Sequence, residues 1–451
     1  MSLQVLSNPS STCNPAFVHP GRARTVSIWN PAPGSCNLAK WVSSSQKNLR
    51  NCGKTFPDPR SNFGFWNVGR RMSKRCFSLR NNDGLLRVRC GGLEKASEED
   101  AYYIRRCVEL ARQAVGHTSP NPMVGCVIVK DGKVVGEGFH PRAGQPHAEV
   151  FALRNAGEQA ENATAYVSLE PCNHYGRTPP CAEALINAKV RKVVVGMVDP
   201  NPLVSSKGIN RLKEAGIEVT VGVEEDLCKK LNEAFIHKML SGNPFVTIRY
   251  SISINGMLLD QLGDEAMDYG GYYSKLLQEY DAVIHPPTKT TQEFAFFVSQ
   301  EPNARQPLHI FIAKDRKSPI RILKQPTEAD QMAVIFSDKE IALEPDMSQI
   351  GIETVILNQL SLHAILEYCG KQGFCNVLVD LRGSINDLEE ILVEGLEKSL
   401  MQKIVVEVLP LWTVVKGTDS PSAMKSITQV KRLKNLSSMT SGNSVLLEGY
   451  F

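Results

Sequence analysis

Long apolar segments are missing from this chain. No stretch of its 451 residues approaches the ~20 consecutive apolar residues that a membrane-spanning helix needs. Hydrophobic residues make up 42% of the sequence and charged residues 22%, which is ordinary for a globular protein. The length predicts two or three domains. An integral membrane protein is therefore excluded, and no membrane partner is expected.

Acidic residues are nearly absent from the first 90 positions, where Asp58 and Asp83 accompany 14 Lys and Arg residues. This segment carries +12 and leaves −8 for residues 91–451, within a total of +4. It is rich in serine and lacks the apolar core of a secretory signal. Such a composition is typical of an organelle transit peptide. We predict a plastid transit peptide, or disordered segment, over residues 1–90, with cleavage around 75–95 and a location in the chloroplast stroma.

Two other interpretations of this basic segment remain, a disordered tail and an arm that binds nucleic acid. Its basic residues could contact phosphates. The ones considered are Arg22, Arg24, Arg70, Arg71, Lys74, Arg75 and Arg80. They are dispersed, and no nucleic-acid-binding fold surrounds them. We therefore expect no nucleic-acid partner.

The chain also lacks a disulfide framework. Five of its 12 cysteines lie in the predicted presequence. The others are irregularly spaced: Cys107, Cys126, Cys172, Cys181, Cys228, Cys369 and Cys375. An odd number of cysteines in a large domain does not indicate disulfides. A reducing compartment is therefore expected, which would keep Cys172 and Cys181 available as thiolates.

One histidine, one glutamate and two cysteines form the most informative pattern: His147-Ala148-Glu149, then Pro171-Cys172, then Cys181. Catalytic zinc takes three nitrogen or thiolate ligands and a water whose pKa the metal lowers. A glutamate beside the histidine can relay protons without binding the metal. The pattern predicts Zn²⁺ held by His147, Cys172 and Cys181, with Glu149 as the catalytic proton shuttle in the deamination of a pyrimidine ring. The alternative is a surface histidine and two core cysteines, because eight residues separate the cysteines where nucleobase deaminases have two.

Five motifs surround this pattern in order. They are Asn-Pro-Met-Val-Gly-Cys-Val-Ile-Val at 121–129, Gly-Glu-Gly-Phe-His at 136–140, Pro-His-Ala-Glu-Val at 146–150, Ser-Leu-Glu-Pro-Cys-Asn-His-Tyr-Gly-Arg-Thr-Pro-Pro-Cys at 168–181 and Asp-Pro-Asn-Pro at 199–202. Over about residues 97–240, they resemble the deaminase domain of the riboflavin-pathway deaminase/reductase family, where a long loop between the cysteines is expected. The resemblance implies deamination of 2,5-diamino-6-ribosylamino-4(3H)-pyrimidinone 5′-phosphate at carbon 2, giving 5-amino-6-ribosylaminouracil 5′-phosphate.

The resemblance also implies a set of substrate-binding residues. They are Asn121, His140, the backbone of Ala148, His174 and Arg177. The planar guanidinium of Arg177 suits a phosphate. Each of the four side chains has a structural alternative: the Asn-Pro turn for Asn121, a supporting role for the two histidines and a solvated loop position for Arg177. For Asp199 and Asn201, in a proline-rich turn, the structural role is favoured.

Helical and strand patterns alternate through residues 97–240. After a first helix at 101–115, the predicted order is β-β-α-β-α-β-α-β, and residues 224–240 read as one connecting helix. This order predicts a cytidine-deaminase-like three-layer α/β/α sandwich, the architecture that the resemblance also implies.

Residues 244–415 form a second α/β pattern that looks like the family's dihydrofolate-reductase-like domain, which uses NADPH. The match departs from the family at functional positions. Arg249 replaces a lysine, Asn255 an aspartate and Met257 a basic residue. Where the family has a loop that helps to hold substrate, residues 299–302 read Ser-Gln-Glu-Pro. Where the family has a glycine-rich turn that binds the cofactor, residues 380–384 read Asp-Leu-Arg-Gly-Ser and keep one glycine. We therefore expect a scaffold without reductase activity or bound cofactor, followed by a C-terminal extension at 416–451.

These observations favour a monofunctional zinc deaminase of riboflavin synthesis. The alternatives are a bifunctional deaminase and NADPH-dependent reductase, a nucleic-acid-editing deaminase and a non-catalytic regulatory paralogue. The expected partner is the small pyrimidine ribotide, and homo-oligomerisation is left open.

Overall fold

The computed structural model describes residues 97–175, 179–285, 293–295, 297–313, 321–323, 333–340, 352–381, 389–414 and 431–451. Three sequence predictions lie outside these residues: the presequence at 1–90, Arg177, and residues 382–384 of the altered cofactor turn. Within the described ranges, no helix combines the length and apolarity needed to cross a membrane.

A five-stranded mixed sheet, in the order β2-β1-β3-β4-β5, organises the first part of the described chain. Its strands are β1 (Gly125–Lys130), β2 (Lys133–Phe139), β3 (Thr164–Leu169), β4 (Lys192–Met197) and β5 (Glu218–Val221). The β1–β2 hairpin turns at Asp131 and Gly132, which have φ of 50° and 71°. Positive φ at both positions is the turn geometry that an Asp-Gly pair favours. Strands β3, β4 and β5 are parallel, so their carboxyl ends share one edge of the sheet.

Helices form a layer on each side of this sheet. They are α1 (Glu98–Arg112), α2 (Ala148–Ala156), α3 (Cys181–Asn187), α4 (Lys207–Glu214) and α5 (Glu225–Leu231). Helix α1 contacts α5, whereas α3 contacts both α2 and α4. The predicted order of strands and helices is found, and the two groups of helices enclose the sheet as a three-layer sandwich.

The connecting segment differs from its prediction. A single helix over 224–240 was expected, but α5 ends at Leu231 and a new helix, α6 (Glu233–Ser241), begins at Glu233. Between them, Asn232 has φ −115° and ψ 23°. Its buried side chain accepts a hydrogen bond from Met123 N at 2.8 Å and donates one to Met123 O at 2.9 Å. At the break between the two helices, the Asn232 side chain thus satisfies backbone groups of a residue far away in the sequence.

A larger sheet, in the order β13-β12-β10-β8-β14-β6-β15-β17-β16 with β7 paired to β6, occupies the rest of the described chain. Its strands are β6 (Phe245–Ser253), β7 (Leu258–Leu259), β8 (Ala282–His285), β10 (Leu308–Ala313), β12 (Ala333–Ser337), β13 (Glu353–Ile356), β14 (Asn376–Leu381), β15 (Lys403–Leu409), β16 (Lys434–Ser441) and β17 (Ser444–Tyr450). A separate pair consists of β9 (Glu293–Ala295) and β11 (Arg321–Leu323).

The helices of this second part are α7 (Tyr272–Glu279), α8 (Leu362–Lys371) and α9 (Glu389–Glu397). The sequence pattern predicts helices at 362–369 and 388–396, which correspond to α8 and α9, but it predicts no helix at α7 and no strand at β8 or β16. Strands β16 and β17 fall in the segment predicted as a C-terminal extension, and β17 pairs with β15 of the large sheet. The exact domain boundaries stay predictions.

Candidate metal centre

His147 and Glu149 are placed by the start of α2. His147 is the N-cap residue, with extended backbone, and Glu149 lies in the first helical turn. Helix α2 packs closely on β2 because Gly138 has no side chain. A Cβ at Gly138 would lie 2.6 Å from Ala148 O, which is closer than carbon and oxygen can approach. The glycine therefore allows the beginning of α2, and the two functional side chains, to sit directly against the sheet.

The two cysteines come from opposite ends of one loop. Cys172 follows the carboxyl end of β3, and Cys181 is the first residue of α3. Backbone hydrogen bonds join the ends of the loop, from Cys181 N to Cys172 Sγ at 3.3 Å and from Ala182 N to Cys172 O at 3.1 Å. The long spacing in sequence is thus compatible with two sulfur atoms that are close in space.

The structure brings the three predicted ligands together. His147 Nδ1 lies 3.6 Å from Cys172 Sγ and 3.3 Å from Cys181 Sγ, and all three donor atoms lie within 4.8 Å of one another. Tetrahedral Zn²⁺ with ordinary bond lengths separates a nitrogen and a sulfur ligand by about 3.5 Å. One imidazole and two thiol groups at these distances fit zinc in both geometry and donor type.

Glu149 lies beside the three donors and is only 3% exposed. Burial raises the pKa of its carboxyl group to about 7. Its Oε2 is buried, and no group among the described residues forms a hydrogen bond with it. Because buried polar atoms are almost always hydrogen-bonded in proteins, this oxygen requires a partner, and a water at the metal centre would supply one.

The two thiols share a proton in this arrangement. The pKa of Cys172 is lowered, first because Cys181 donates a hydrogen bond to its sulfur and then because His147 does so. The same bond raises the pKa of Cys181. One thiolate is therefore favoured even without metal, and a divalent cation would favour both, since the thiolate is the form that binds metal.

Asn121 and His140 form the polar wall next to His147. His140 Nδ1 lies 3.0 Å from the carbonyl oxygen of Pro146, so Nδ1 carries the hydrogen. His140 Nε2 then accepts from Asn121 Nδ2, at 3.1 Å. Burial lowers the pKa of His140, which agrees with this neutral tautomer. The ring centroids of His140 and His147 are 5.4 Å apart, and the carbonyl end of the Asn121 amide is left for a ligand.

The other predicted substrate-binding residues that the structure describes, Ala148 and His174, do not form a hydrogen-bonded pair like Asn121 and His140. Ala148 is fully buried between His147 and Glu149, whereas His174 is exposed in the loop between the cysteines. Asp199 and Asn201 have turn-forming contacts, since Asp199 Oδ1 accepts from Asn201 N at 2.9 Å and Asn201 Oδ1 accepts from Leu203 N at 3.1 Å. These contacts agree with the structural role favoured from the sequence.

Glu170, two residues before Cys172, was not assigned a role from the sequence. Its buried carboxylate accepts four backbone hydrogen bonds, at 2.9 to 3.2 Å. The donors are Asp199 N, Ser206 N, Gly208 N and Ile209 N. They come from the turn after β4 and from the beginning of α4. Glu170 therefore fixes the loop that carries Cys172 to the neighbouring loop. The available signal was an acidic residue directly after a predicted strand, β3.

Replacing Glu170 with alanine is expected to lower the free energy of unfolding by about 3 kcal/mol or more, because four backbone N–H groups lose their acceptor. Zinc affinity should fall as well, since the Cys172 loop loosens. Chemical denaturation and metal titration measure the two effects. Glu183→Ala is the matched control: it removes a partly exposed ion pair with Arg211, 2.6 Å long, and should cost less than about 1 kcal/mol. Equal losses for the two variants would contradict this role.

The chain is similar to a known protein family and to proteins from plants. Residues 97–197 match the family model for the cytidine and deoxycytidylate deaminase zinc-binding region. The riboflavin biosynthesis protein PYRD, chloroplastic, of Arabidopsis thaliana is 57% identical over 79% of this chain and 84% of its own length. Its namesake from Zea mays is 53% identical over 81% of this chain and 92% of its own length.

A solved structure from Thermotoga maritima is also similar. It is a diaminohydroxyphosphoribosylaminopyrimidine deaminase/5-amino-6-(5-phosphoribosylamino)uracil reductase with 27% sequence identity and a TM-score of 0.65. The match covers 78% of this chain and 99% of that one. The predicted fold, a cytidine-deaminase-like domain followed by a reductase-like domain, is confirmed.

The predicted chloroplast location is confirmed by the two plant relatives. The zinc-binding deaminase region spans the His147, Cys172 and Cys181 cluster, and the similarity to riboflavin biosynthesis proteins extends through most of both chains. The chain therefore belongs to the PYRD/RibD family of riboflavin biosynthesis proteins and is a deaminase of that pathway.

Proposed function

We propose that the protein hydrolytically deaminates 2,5-diamino-6-ribosylamino-4(3H)-pyrimidinone 5′-phosphate at carbon 2 and is monofunctional. Water supplies the oxygen of the new carbonyl group, the carbon–nitrogen bond to the exocyclic amine breaks, and ammonia leaves. The observation that carries this proposal is the convergence of His147, Cys172 and Cys181 beside a buried glutamate with an unsatisfied oxygen.

His147, Cys172 and Cys181 would hold the zinc ion, whose contribution is to lower the pKa of a water so that hydroxide is available near neutral pH. The rest of the site positions this nucleophile. Asn121 and His140 form the adjacent wall, and the fixed neutral tautomer of His140 keeps the Asn121 amide in one orientation.

Glu149 would move the protons. Its carboxylate is close to the donor atoms of the centre but is not one of the three clustered ligands. A carboxyl group with a pKa of about 7 can both accept and return a proton at neutral pH. In the proposed reaction, Glu149 accepts a proton from water and delivers it to a ring nitrogen. It then transfers the proton of the newly added hydroxyl group to the departing amine, so that the carbonyl forms as ammonia leaves.

Recognition of the ribotide would use the remaining predicted residues. The carbonyl end of the Asn121 amide and the backbone of Ala148 suit the hydrogen-bonding edge of the pyrimidine. His174 and Arg177, both in the loop between the cysteines, suit the phosphate, because imidazolium and guanidinium groups form charge-assisted hydrogen bonds to that anion.

Release of ammonia from the purified mature chain tests this function. We expect turnover with the pyrimidine ribotide and none with single-stranded DNA or tRNA. Turnover of a nucleic acid without turnover of the ribotide would overturn the proposal in favour of an editing deaminase.

The proposed absence of reductase activity is supported by the surroundings of Arg249 on β6. This residue stands where the family has a lysine, and it is fully buried. It donates to Asp380 Oδ1 at 3.2 Å, to Glu407 Oε2 at 2.6 Å and to the Tyr272 hydroxyl at 2.7 Å. A guanidinium committed to two buried carboxylates has little capacity to bind a substrate.

Asn255, in place of the family's aspartate, is also committed to local contacts. Its Oδ1 accepts from Ser253 Oγ at 2.7 Å and from Thr413 N at 3.1 Å, and its Nδ2 donates to Thr413 O at 2.9 Å. These bonds connect two loops of the reductase-like domain. They support a structural role for a residue at a position that is functional in the family.

We expect no oxidation of NADPH when the deaminated ribotide is added to the purified chain. Absorbance of the nicotinamide measures the reaction, and the Thermotoga maritima deaminase/reductase provides the positive control. Oxidation of NADPH in proportion to added substrate would contradict the proposed loss of reduction and would favour the bifunctional alternative.

A further inference from the structure

The segment between α1 and β1 carries Asn121, and it is folded tightly upon itself. Asn121 N donates to Thr118 O at 2.7 Å, which closes a turn through Ser119 and Pro120. The position of the Asn121 side chain therefore depends on the position of this turn. Contacts made by Ser119 and Pro120 are transmitted to Asn121 through a few backbone bonds.

The reductase-like domain holds this turn through Asp281, the residue directly before β8. Ser119 Oγ donates to Asp281 Oδ2 at 2.8 Å. The same oxygen accepts from the backbone N–H groups of Cys375 and Asn376, at 2.7 and 3.2 Å. Asp281 is 6% exposed. Its carboxylate is thus fixed by Cys375 and by Asn376, the first residue of β14, and accepts one directed, charge-assisted bond from the deaminase-like domain.

Two further contacts bring the two domains together at the same turn. Gly116 has φ of +78°, and a Cβ there would lie 2.3 Å from Gln278 O at the end of α7. Cys375 Sγ lies 3.7 Å from Pro120 O. The backbone of the turn therefore lies directly against the reductase-like domain, and Gly116 is needed for this close approach.

The other end of the segment is held by Asn232, through its two bonds to the backbone of Met123. Asn121 lies between these two fixed points. Asn232 follows α5 and belongs to the connecting region, whereas Asp281 belongs to the reductase-like domain. One of the two supports for the Asn121 segment is thus provided by a domain that has lost the residues expected for reduction.

We propose that Asp281 is a positioning residue for deamination, which acts through Ser119 and the 118–121 turn to hold Asn121 at the pyrimidine. The proposal rests on the proposed role of Asn121 in substrate binding. It gives the reductase-like domain a function in this chain, because the carboxylate that this domain supplies holds the turn that carries Asn121.

The Ser119→Ala variant tests the proposal, since it removes the bond from Ser119 to Asp281 and leaves the backbone bonds of Asp281 in place. Misplacement of a substrate-orienting group is expected to reduce kcat/KM by about 10-fold, mainly through KM, with zinc content unchanged. Ser119→Thr keeps the hydroxyl group and should restore most of the loss. In an Asn121→Ala background, Ser119→Ala should cause no further loss in kcat/KM.

Ser361→Ala is the matched control, because it removes the N-cap bond from Ala364 N, 3.2 Å long, at α8 of the same domain. It should reduce thermal stability without changing KM. Unchanged kinetics in Ser119→Ala, or the same loss with and without Asn121, would overturn the proposal.

A separate result would refute the proposed reaction, namely an inactive wild-type chain. Hydrogen exchange at the Asn121 amide would still test the contact in that case. Faster exchange in Ser119→Ala than in Ser361→Ala supports positioning by Asp281, and equal exchange overturns it.

Discussion

Glu149→Gln is expected to lose at least about 10³-fold in kcat while retaining one zinc ion per chain. Glutamine preserves the volume of the buried side chain but cannot accept a proton from water or return it to the leaving amine. Proton transfer by a positioned side chain contributes roughly 10²- to 10⁴-fold to a reaction rate. Because three proton movements depend on this one carboxylate, we expect a value in the upper part of that range. Ammonia release and elemental analysis of the same preparation measure the two quantities.

Glu158→Gln is the matched control for this experiment. Glu158 is exposed in the short helical turn that follows α2, so the same chemical change there should leave kcat and zinc content unaltered. Substantial turnover by Glu149→Gln would contradict the proton-shuttle role. Loss of zinc from this variant would instead indicate that Glu149 binds the metal.

Cys172→Ala is expected to lose both zinc and turnover. Removing one of three protein ligands leaves an imidazole and one sulfur, which do not complete a catalytic zinc site. The zinc content should fall from about one ion per chain to nearly none after dialysis, and added zinc should restore activity to the dialysed wild type only. Metal analysis before and after addition of zinc is the measurement.

Cys369→Ala provides the comparison, because Cys369 is also a free, buried cysteine but lies in the core of the reductase-like domain. This variant should retain full zinc content. Stoichiometric zinc in Cys172→Ala would contradict the assignment of Cys172 as a ligand, and equal loss of zinc in both variants would indicate general destabilisation.

Local patterns in the sequence were sufficient to predict where the three candidate zinc ligands lie relative to helices and strands. His147 precedes an amphipathic helix, Cys172 follows an apolar strand, and Cys181 begins a helix after two prolines. Each of these signals is contained in a few neighbouring residues. The parallel arrangement of β3 and β4 and the packing of α2 on Gly138 then bring the segments to one place.

The residues that were missed act over long distances in the sequence. Glu170 bonds to residues about 30 to 40 positions away, Asn232 pairs with Met123, and Asp281 with Ser119. Nothing in the sequence around a single Asn or Asp identifies such a partner. The same limit applies to α6, because the sequence pattern favours one continuous helix and does not reveal the contact between Asn232 and Met123 at the break.

The strands of the reductase-like domain illustrate a different limit. Strand β8 has four residues, Ala282–His285, too few to establish a periodic pattern. Strand β16 is mostly exposed and polar, so its sequence resembles a loop. It forms a strand because its neighbour β17 supplies hydrogen-bonding partners, which is information that the segment itself does not contain.

X-ray diffraction from crystals of the mature chain, recorded on both sides of the zinc absorption edge, tests the metal centre most directly. We expect one anomalous peak, about 2.0–2.1 Å from His147 Nδ1 and about 2.3 Å from each of Cys172 Sγ and Cys181 Sγ. The Glu149 carboxylate should lie near this peak without binding the metal. Zinc-supplied crystals without a peak between these three atoms, or with zinc held by other residues, would contradict it.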